Sequence, residues 1–179
     1  MNQIGVSNIF SDVKFFEGKI FEDDRGIFRK PFYGTPIEEI FGNDFEVIIS
    51  SSGKNVIRGL HFQNPPHDVD KFIYCLNGSI KDVFVDLRKK SSTFGKFDSI
   101  HLNEKNPVSV LVPKGFAHGF SVLSEKATVI YLQSGKFNEV SDYGISYKSL
   151  NIDWEVENPI VSDKDSNLPD FKEFSSPWE

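Results

Sequence analysis

Two histidines, a lysine and a tyrosine give this chain groups able to take up, deliver or steady a proton. His61 lies in Val56-Ile57-Arg58-Gly59-Leu60-His61-Phe62-Gln63, where a strand-like run delivers an arginine and a histidine with a glycine between them. Further on come Lys71, His118 in Pro113-Lys114-Gly115-Phe116-Ala117-His118-Gly119-Phe120, and Tyr131 in Val129-Ile130-Tyr131. A base, an acid and cationic clamps on a β scaffold would move a proton on an anionic substrate. Each residue alone has a plainer reading: a histidine facing a barrel interior is a hydrogen-bonded core residue, and a lone arginine is a surface ion pair. The functional case rests on the combination.

The segments that carry them read as consecutive strands. Phe72 to Leu76, then Asn77-Gly78, then Ser79 to Leu87 has the pattern of a hairpin, because Asn-Gly supplies the positive φ values of a type I′ turn. In Asp82 to Arg88 the side chains alternate, with Val83, Val85 and Leu87 on one face. Ser99 to Leu102, Val108 to Val112 and Thr128 to Leu132 are further strands, separated by turn signals. Strict alternation along Ile57 to Gln63 puts Gly59, His61 and Gln63 on one face and Arg58, Leu60 and Phe62 on the other. One helix is expected at Thr35 to Phe41, with Thr35 as N-cap and Pro36 at the first helical position. Many short strands at this spacing predict an all-β sandwich or barrel. The tail from 158 to 179, rich in proline, serine and aspartate, is expected to lie over it as short helical turns and loop.

A chain of 179 residues is most simply one domain, 1–179. Its formal charge of −6 argues against nucleic acid or a membrane surface as partner, since both are polyanions. An anionic substrate must then be held by a few local cations. Cys75 is the only cysteine, so no intrachain disulfide can form. The N-terminus lacks the features of a secretory signal, and no apolar stretch approaches the roughly 20 residues that span a bilayer. Cytoplasmic localisation is the expectation. Pro113 to His118 carries the Pro-x-Gly-x-x-His spacing of the second cupin metal motif. The partner motif would need His-x-His and a carboxylate, whereas His61 is followed by Phe62 and Gln63. Such sites want three or four nitrogen and oxygen ligands, so no metal is expected.

Four stretches carry a family resemblance: Phe21-Glu22-Asp23-Asp24-Arg25-Gly26-Ile27-Phe28, Arg58 to Gln63, Asp82 to Arg88 through Ser92-Thr93-Phe94-Gly95, and Pro113 to Phe120. With Ile152-Asp153-Trp154 and Ser162-Asp163-Lys164-Asp165, they run in consistent order from about Val13 to Pro169. The chain resembles the dTDP-4-dehydrorhamnose 3,5-epimerase family of sugar-nucleotide epimerases. That resemblance implies a cupin-type jelly-roll barrel, a homodimer whose strands pair across the interface, a nucleotide-sugar substrate, and no metal or organic cofactor. It implies His61 as base, Asp165 as its dyad partner, Tyr131 as acid on the opposite face of the sugar, and Lys71 as support for the enolate. Arg25 and Arg58 would bind the diphosphate region, His118 would line the same pocket, and Phe28, Gln63, Glu46 and Phe137 complete the implied substrate shell.

The chemistry accounts for these residue types. A ketone at C4 of a hexose acidifies the hydrogens on C3 and C5; removing one gives an enolate, and returning a proton to the other face inverts the centre. Histidine suits the base because its usual pKa of about 6.5 leaves it partly neutral. A carboxylate on its far nitrogen fixes the tautomer. The carbon acid is far weaker than imidazolium, and each pKa unit of mismatch is worth about 1.4 kcal/mol. The developing oxyanion therefore needs a donor.

The substrate shell departs from the family. Lys30 stands where members commonly have glutamate, Glu46-Val47-Ile48-Ile49-Ser50 where they have Gln-x-Asn-x-Ser, Val69 where they have glutamine, and Phe137 where they have tyrosine. Losing hydrogen-bonding groups changes which substrate a site accepts. The expectation is an epimerase that inverts C3, C5 or both of a nucleotide-linked 4-keto-6-deoxyhexose of the dTDP-4-dehydro-6-deoxyglucose type, with a specialised member, C3-only or acting on another nucleotide-linked 4-keto sugar, as the alternative. The competing classes are a 3,4-ketoisomerase, a non-catalytic sugar-nucleotide-binding barrel and a metal-dependent cupin oxygenase.

Overall fold

A computed structural model describes residues 1–42 and 44–179. The chain runs through β1 (Asn2–Val6), β2 (Lys14–Glu17), β3 (Lys19–Asp23), β4 (Gly26–Lys30), α1 (Thr35–Phe41), β5 (Phe45–Gly53), β6 (Ile57–Gln63), β7 (Lys71–Asn77), β8 (Ser79–Asp86), β9 (Phe97–Asn103), β10 (Val108–Val112), β11 (Phe116–Val122), β12 (Lys126–Ser134), β13 (Asp142–Gly144) and α2 (Asp163–Ser166). A six-stranded sheet has the order β1-β2-β10-β7-β12-β5, and a five-stranded sheet the order β13-β6-β11-β8-β9. All pairings in these sheets are antiparallel. The two sheets enclose an apolar core of Phe10, Val13, Ile73, Phe84, Val110, Phe116, Phe120 and Val129, with Tyr131 packed against it. This is the all-β, cupin-type jelly roll.

Two further apolar clusters cover the outside. On the five-stranded sheet, Leu60, Phe62, Val83, Val85 and Leu87 meet Ile152 and Trp154, and the tail adds Phe171, Phe174 and Trp178. On the six-stranded sheet, Phe72, Leu111 and Leu132 meet Phe41, Ile37 and Ile40 of α1. The expected alternation along β8 holds: Val83, Val85 and Leu87 face the tail while Ile80 and Phe84 face the core. Burial on both faces puts β8 inside a sheet.

That burial corrects the expected hairpin. β7 pairs with β10 and β12, whereas β8 pairs with β11 and β9, so Asn77-Gly78 is a corner between sheets. Of the two residues only Gly78 has positive φ, 77°, and a type I′ turn needs both. A β-carbon at Gly78 would stand 2.1 Å from the Lys126 carbonyl oxygen, a close approach only glycine permits. The helix start also differs. Gly34, not Thr35, occupies the cap position of α1, and Pro36 lies in its first turn. The Thr35 and Pro36 side chains lie outside what is described.

Candidate active site

The placement of His61 depends on an irregularity between β6 and β11. His61 stands opposite His118 and Arg58 opposite Phe120, so β6 spends one residue more than β11 over this stretch. Such a bulge resets the strand's alternation. It overturns the expected separation of Arg58 from His61 and turns both side chains to one cavity. The strands approach closely here. A β-carbon at Gly59, whose φ is 122°, would lie 2.6 Å from Gly119 Cα, and one at Gly119 would lie 2.6 Å from the Arg58 carbonyl oxygen. Glycine at both positions is therefore a steric requirement.

The same Gly59 reaches a residue 106 positions away. The segment after Trp154 is tied to β6 by Ile57 N–H donating to the Ile160 carbonyl at 3.0 Å and Ile160 N–H donating to the Asn55 carbonyl at 2.9 Å. Ser162 then caps α2, its hydroxyl accepting from Asp165 N–H at 3.1 Å. The result is a buried Asp165 carboxylate whose Oδ2 accepts from Gly59 N–H at 3.1 Å and whose Oδ1 lies 2.8 Å from His61 Nε2. An ionised carboxylate can only accept, so Nε2 carries the proton and Nδ1 keeps the lone pair. Burial alone would raise the Asp165 carboxyl, but His61, Gly59 N–H and Ser162 outweigh it and hold it below the usual range.

The cavity has a volume of about 220 Å³ and is lined by Ile48, Ser50, Arg58, His61, Lys71, His118, Tyr131 and Gln133. Arg58 is steadied by Nε donating to Ser52 Oγ at 2.8 Å. His118 is buried, with Nε2 2.7 Å from Oδ1 of the fully buried Asp82, and its ring meets that of Tyr131 edge-on at 5.9 Å. Burial raises the Tyr131 phenol, with the Asp82 charge adding and Arg58 opposing. Burial pushes the Lys71 ammonium down to about 8, against the pull of Asp142 and Asp82. A neutral phenol and an easily discharged lysine thus share a cavity with a carboxylate-backed imidazole.

Of the sequence-derived candidates, the structure brings together His61, Asp165, Lys71, Tyr131, Arg58 and His118. Others lie elsewhere. Arg25 and Phe28 sit on the β3–β4 hairpin, a two-stranded sheet of its own, where Arg25 is exposed and paired with Asp23. Phe137 is 55% exposed and lines a different groove with His67 and Asp68. Glu46 stands opposite Gln133 across β5 and β12 but does not line the cavity. Gln63 is not among the residues lining this cavity: its amide donates to the carbonyls of His67 at 2.8 Å and Lys136 at 3.3 Å and accepts from Asn138 N–H at 2.6 Å. Through these bonds Gln63 holds the loop after β12. Sequence reasoning missed Gln133, although it lies two residues beyond Tyr131 on the same strand face.

Comparison with known proteins agrees with this architecture. The family model described as dTDP-4-dehydrorhamnose 3,5-epimerase matches residues 8–173. The dTDP-4-dehydrorhamnose 3,5-epimerase of Shigella flexneri is 43% identical over 165 residues, covering 89% of this chain and 91% of that protein. The crystal structure of dTDP-4-dehydrorhamnose 3,5-epimerase from Bacillus anthracis with TDP and PPi bound is 36% identical, with a TM-score of 0.85, covering 95% of this chain and 99% of that one. The dTDP-6-deoxy-D-glucose-3,5-epimerase of Legionella pneumophila, in complex with dTDP-4-keto-L-rhamnose, is 33% identical with a TM-score of 0.87, covering 95% and 93%. In sequence and in fold, this chain belongs to the dTDP-4-dehydrorhamnose 3,5-epimerase family.

Proposed function

We propose that the protein is a cofactor-independent isomerase that inverts C3 and C5 of a nucleotide-linked 4-keto-6-deoxyhexose of the dTDP-4-dehydro-6-deoxyglucose type. The observation that carries this reading is the His61–Asp165 pair opening onto the same cavity as Tyr131 and Lys71. His61 Nδ1 takes the proton from C3 or C5. The C–H electrons form the carbon–carbon double bond, and the carbonyl electrons move to the C4 oxygen. Lys71 stabilises the resulting oxyanion. Tyr131 gives its proton to the opposite face, and the imidazolium and phenolate exchange with solvent to restore the site. Burial keeps Tyr131 a phenol. A weakly acidic phenol is also closer in proton affinity to the carbon acid, which favours reversible transfer. Arg58 holds the diphosphate side.

The test is solvent deuterium uptake during turnover of a panel of nucleotide-linked 4-keto sugars. Deuterium entering C3 and C5 supports the reading; a bound but unexchanged sugar would make the protein a binding barrel. The panel also addresses specialisation. Ile48, 38% exposed, lines the cavity where the family commonly presents asparagine. An apolar wall there favours a substrate with fewer hydrogen-bonding groups at that point. Equal or better turnover of the dTDP sugar than of all others would remove the case for a different nucleotide.

A pH dependence follows from Lys71. The ammonium is the donor, and its cation is lost as pH rises through about 8. The rate of deuterium uptake should therefore fall above that pH, well below an ordinary lysine's range. A profile flat to pH 10, on the order of an ordinary lysine pKa, would contradict the role given to Lys71.

The active unit is a homodimer in this reading. β5 ends the six-stranded sheet with its outer edge unpaired among the described residues, and Phe45, Val47 and Ile49 on it are 44%, 56% and 64% exposed. The hairpin adds Phe21, Ile27 and Phe28, at 52%, 49% and 58%. Apolar exposure of this extent calls for cover. Arg25 and Phe28, absent from their own protomer's cavity, can serve a diphosphate only at the cavity of a second copy. The residues 1–179 act as one catalytic domain in the cytoplasm; no helix among the described residues is long and apolar enough to cross a membrane.

A further inference from the structure

Gln133 has no part in the scheme above, yet it lines the same cavity as Lys71 and Arg58. It is 5% exposed, and its Nε2 is buried with no hydrogen-bond partner. A buried amide nitrogen without an acceptor is costly, by roughly 1–3 kcal/mol, so its retention calls for a reason. The neighbours supply one. Gln133 and Lys71 are direct partners across β12 and β7, and both line the cavity. Side chains so paired leave the backbone about 5 Å apart, close enough for their ends to meet at one atom. Tyr131 precedes Gln133 by two residues on the same face of β12 and lines the cavity too. Across β5, the partners of Tyr131 and Gln133 are Ile48 and Glu46, and no hydrogen bond from either satisfies the amide. The missing acceptor must come from whatever fills the cavity.

We propose that Gln133 is a second donor to the sugar oxygen that Lys71 serves, so that the C4 oxyanion is held by an ammonium and a carboxamide together. The proposal rests on the epimerase reading. It adds a catalytic residue and divides the work. Lys71 supplies charge but loses its proton as pH rises through about 8. Gln133 supplies a neutral hydrogen bond that no pH removes. A turn of the carboxamide about its terminal torsion, which is soft, aims the NH₂ at the oxygen. The ground-state carbonyl accepts such a bond weakly and the enolate strongly, so the contact favours the transition state over the bound substrate.

The experiment measures solvent deuterium uptake into the 4-keto sugar by the parent, Gln133→Met, Lys71→Met and the double variant, at pH 7 and at pH 9. Gln133→Met keeps the length and apolar body of the side chain and removes the donor. The expected result is a kcat loss of about 10²-fold, as for an oxyanion-hole donor, with KM changed far less. The double variant should lose less than the product of the two single losses, because both groups serve one atom. For the same reason the loss from Gln133→Met should be smaller at pH 9 than at pH 7, because discharging the lysine already removes part of the stabilisation the two groups share. Should Gln133→Met fail to fold, Gln133→Glu, of nearly the same shape and without a donor when ionised, takes its place with the same expected loss. Uptake by the substituted enzyme within about twofold of the parent, or a double variant whose losses multiply, overturns the proposal. A parent that takes up no deuterium overturns the epimerase reading itself, and Gln133 falls with it.

Discussion

Replacing His61 by alanine should lower deuterium uptake at both C3 and C5 by about 10³–10⁴-fold, toward the upper range for a positioned general base. The reason is the geometry of one nitrogen. Asp165 holds Nε2 at 2.8 Å, and no other protein group among the described residues hydrogen-bonds the ring, so Nδ1 is the nitrogen that acts as base in the proposed reaction. The other candidates are less open or protonated. His118 has a carboxylate partner of the same kind, Asp82 at 2.7 Å, but its side chain is only 5% exposed against 29% for His61; Lys71 is the cation of the proposed scheme, and burial keeps Tyr131 a phenol. Because one base serves both carbons, uptake at C3 and C5 should fall together. Uptake lost at one carbon and retained at the other would mean two bases. Substrate binding should survive, since Arg58 and Lys71 remain, and equilibrium binding of the nucleoside diphosphate measures that separately.

The second large effect is Asp165→Asn, expected to cost on the order of 10³–10⁴-fold with little loss of fold, by analogy with the buried carboxylate of a hydrolase triad. The carboxylate has two acceptor duties, Gly59 N–H at 3.1 Å and His61 Nε2 at 2.8 Å. An asparagine has one oxygen. If that oxygen keeps Gly59, the NH₂ faces Nε2 and forces it to accept. The ring proton then moves to Nδ1, where it blocks the base. If the amide turns over, Gly59 N–H loses its acceptor and the negative charge that favours imidazolium is gone in any case. Thermal unfolding and deuterium uptake, measured on the same sample, separate this from a folding defect. A variant with near-parent uptake would show that the 2.8 Å contact is structural.

These two residues also show what was legible in the sequence. His61, Arg58, Lys71, His118 and Tyr131 could be picked out because β strands repeat every two residues and the stretches around them are rich in strand formers. Their convergence on one cavity could not be read that way. The bulge opposite His118 comes from the contact of Gly59 with Gly119, 60 residues apart, and strict alternation put Arg58 on the wrong face. Asp165 lies 104 residues from His61 and was reached through family resemblance; nothing in its local pattern distinguishes it from Asp163. Asn77-Gly78 carried the strongest local turn signal and was misread, because a turn signal says that the chain reverses and not which sheet receives the next strand. Burial of β8 on both faces decided that. Gln63 belongs to the substrate shell that the family resemblance implies, and its partners, His67, Lys136 and Asn138, lie in loops whose approach only the closed barrel defines. Gln133 carried no signal beyond its spacing from Tyr131.

In the proposed reaction an imidazole and a phenol work on opposite faces of one keto sugar. The most direct measurement is the stereochemistry of deuterium incorporated by Tyr131→Phe in heavy water, read at C3 and C5 by NMR. With His61 intact and the phenol gone, the base can remove a proton and return deuterium only from its own side. Deuterium is expected at the exchanged carbon with configuration retained. Inversion at the parent's rate would contradict it.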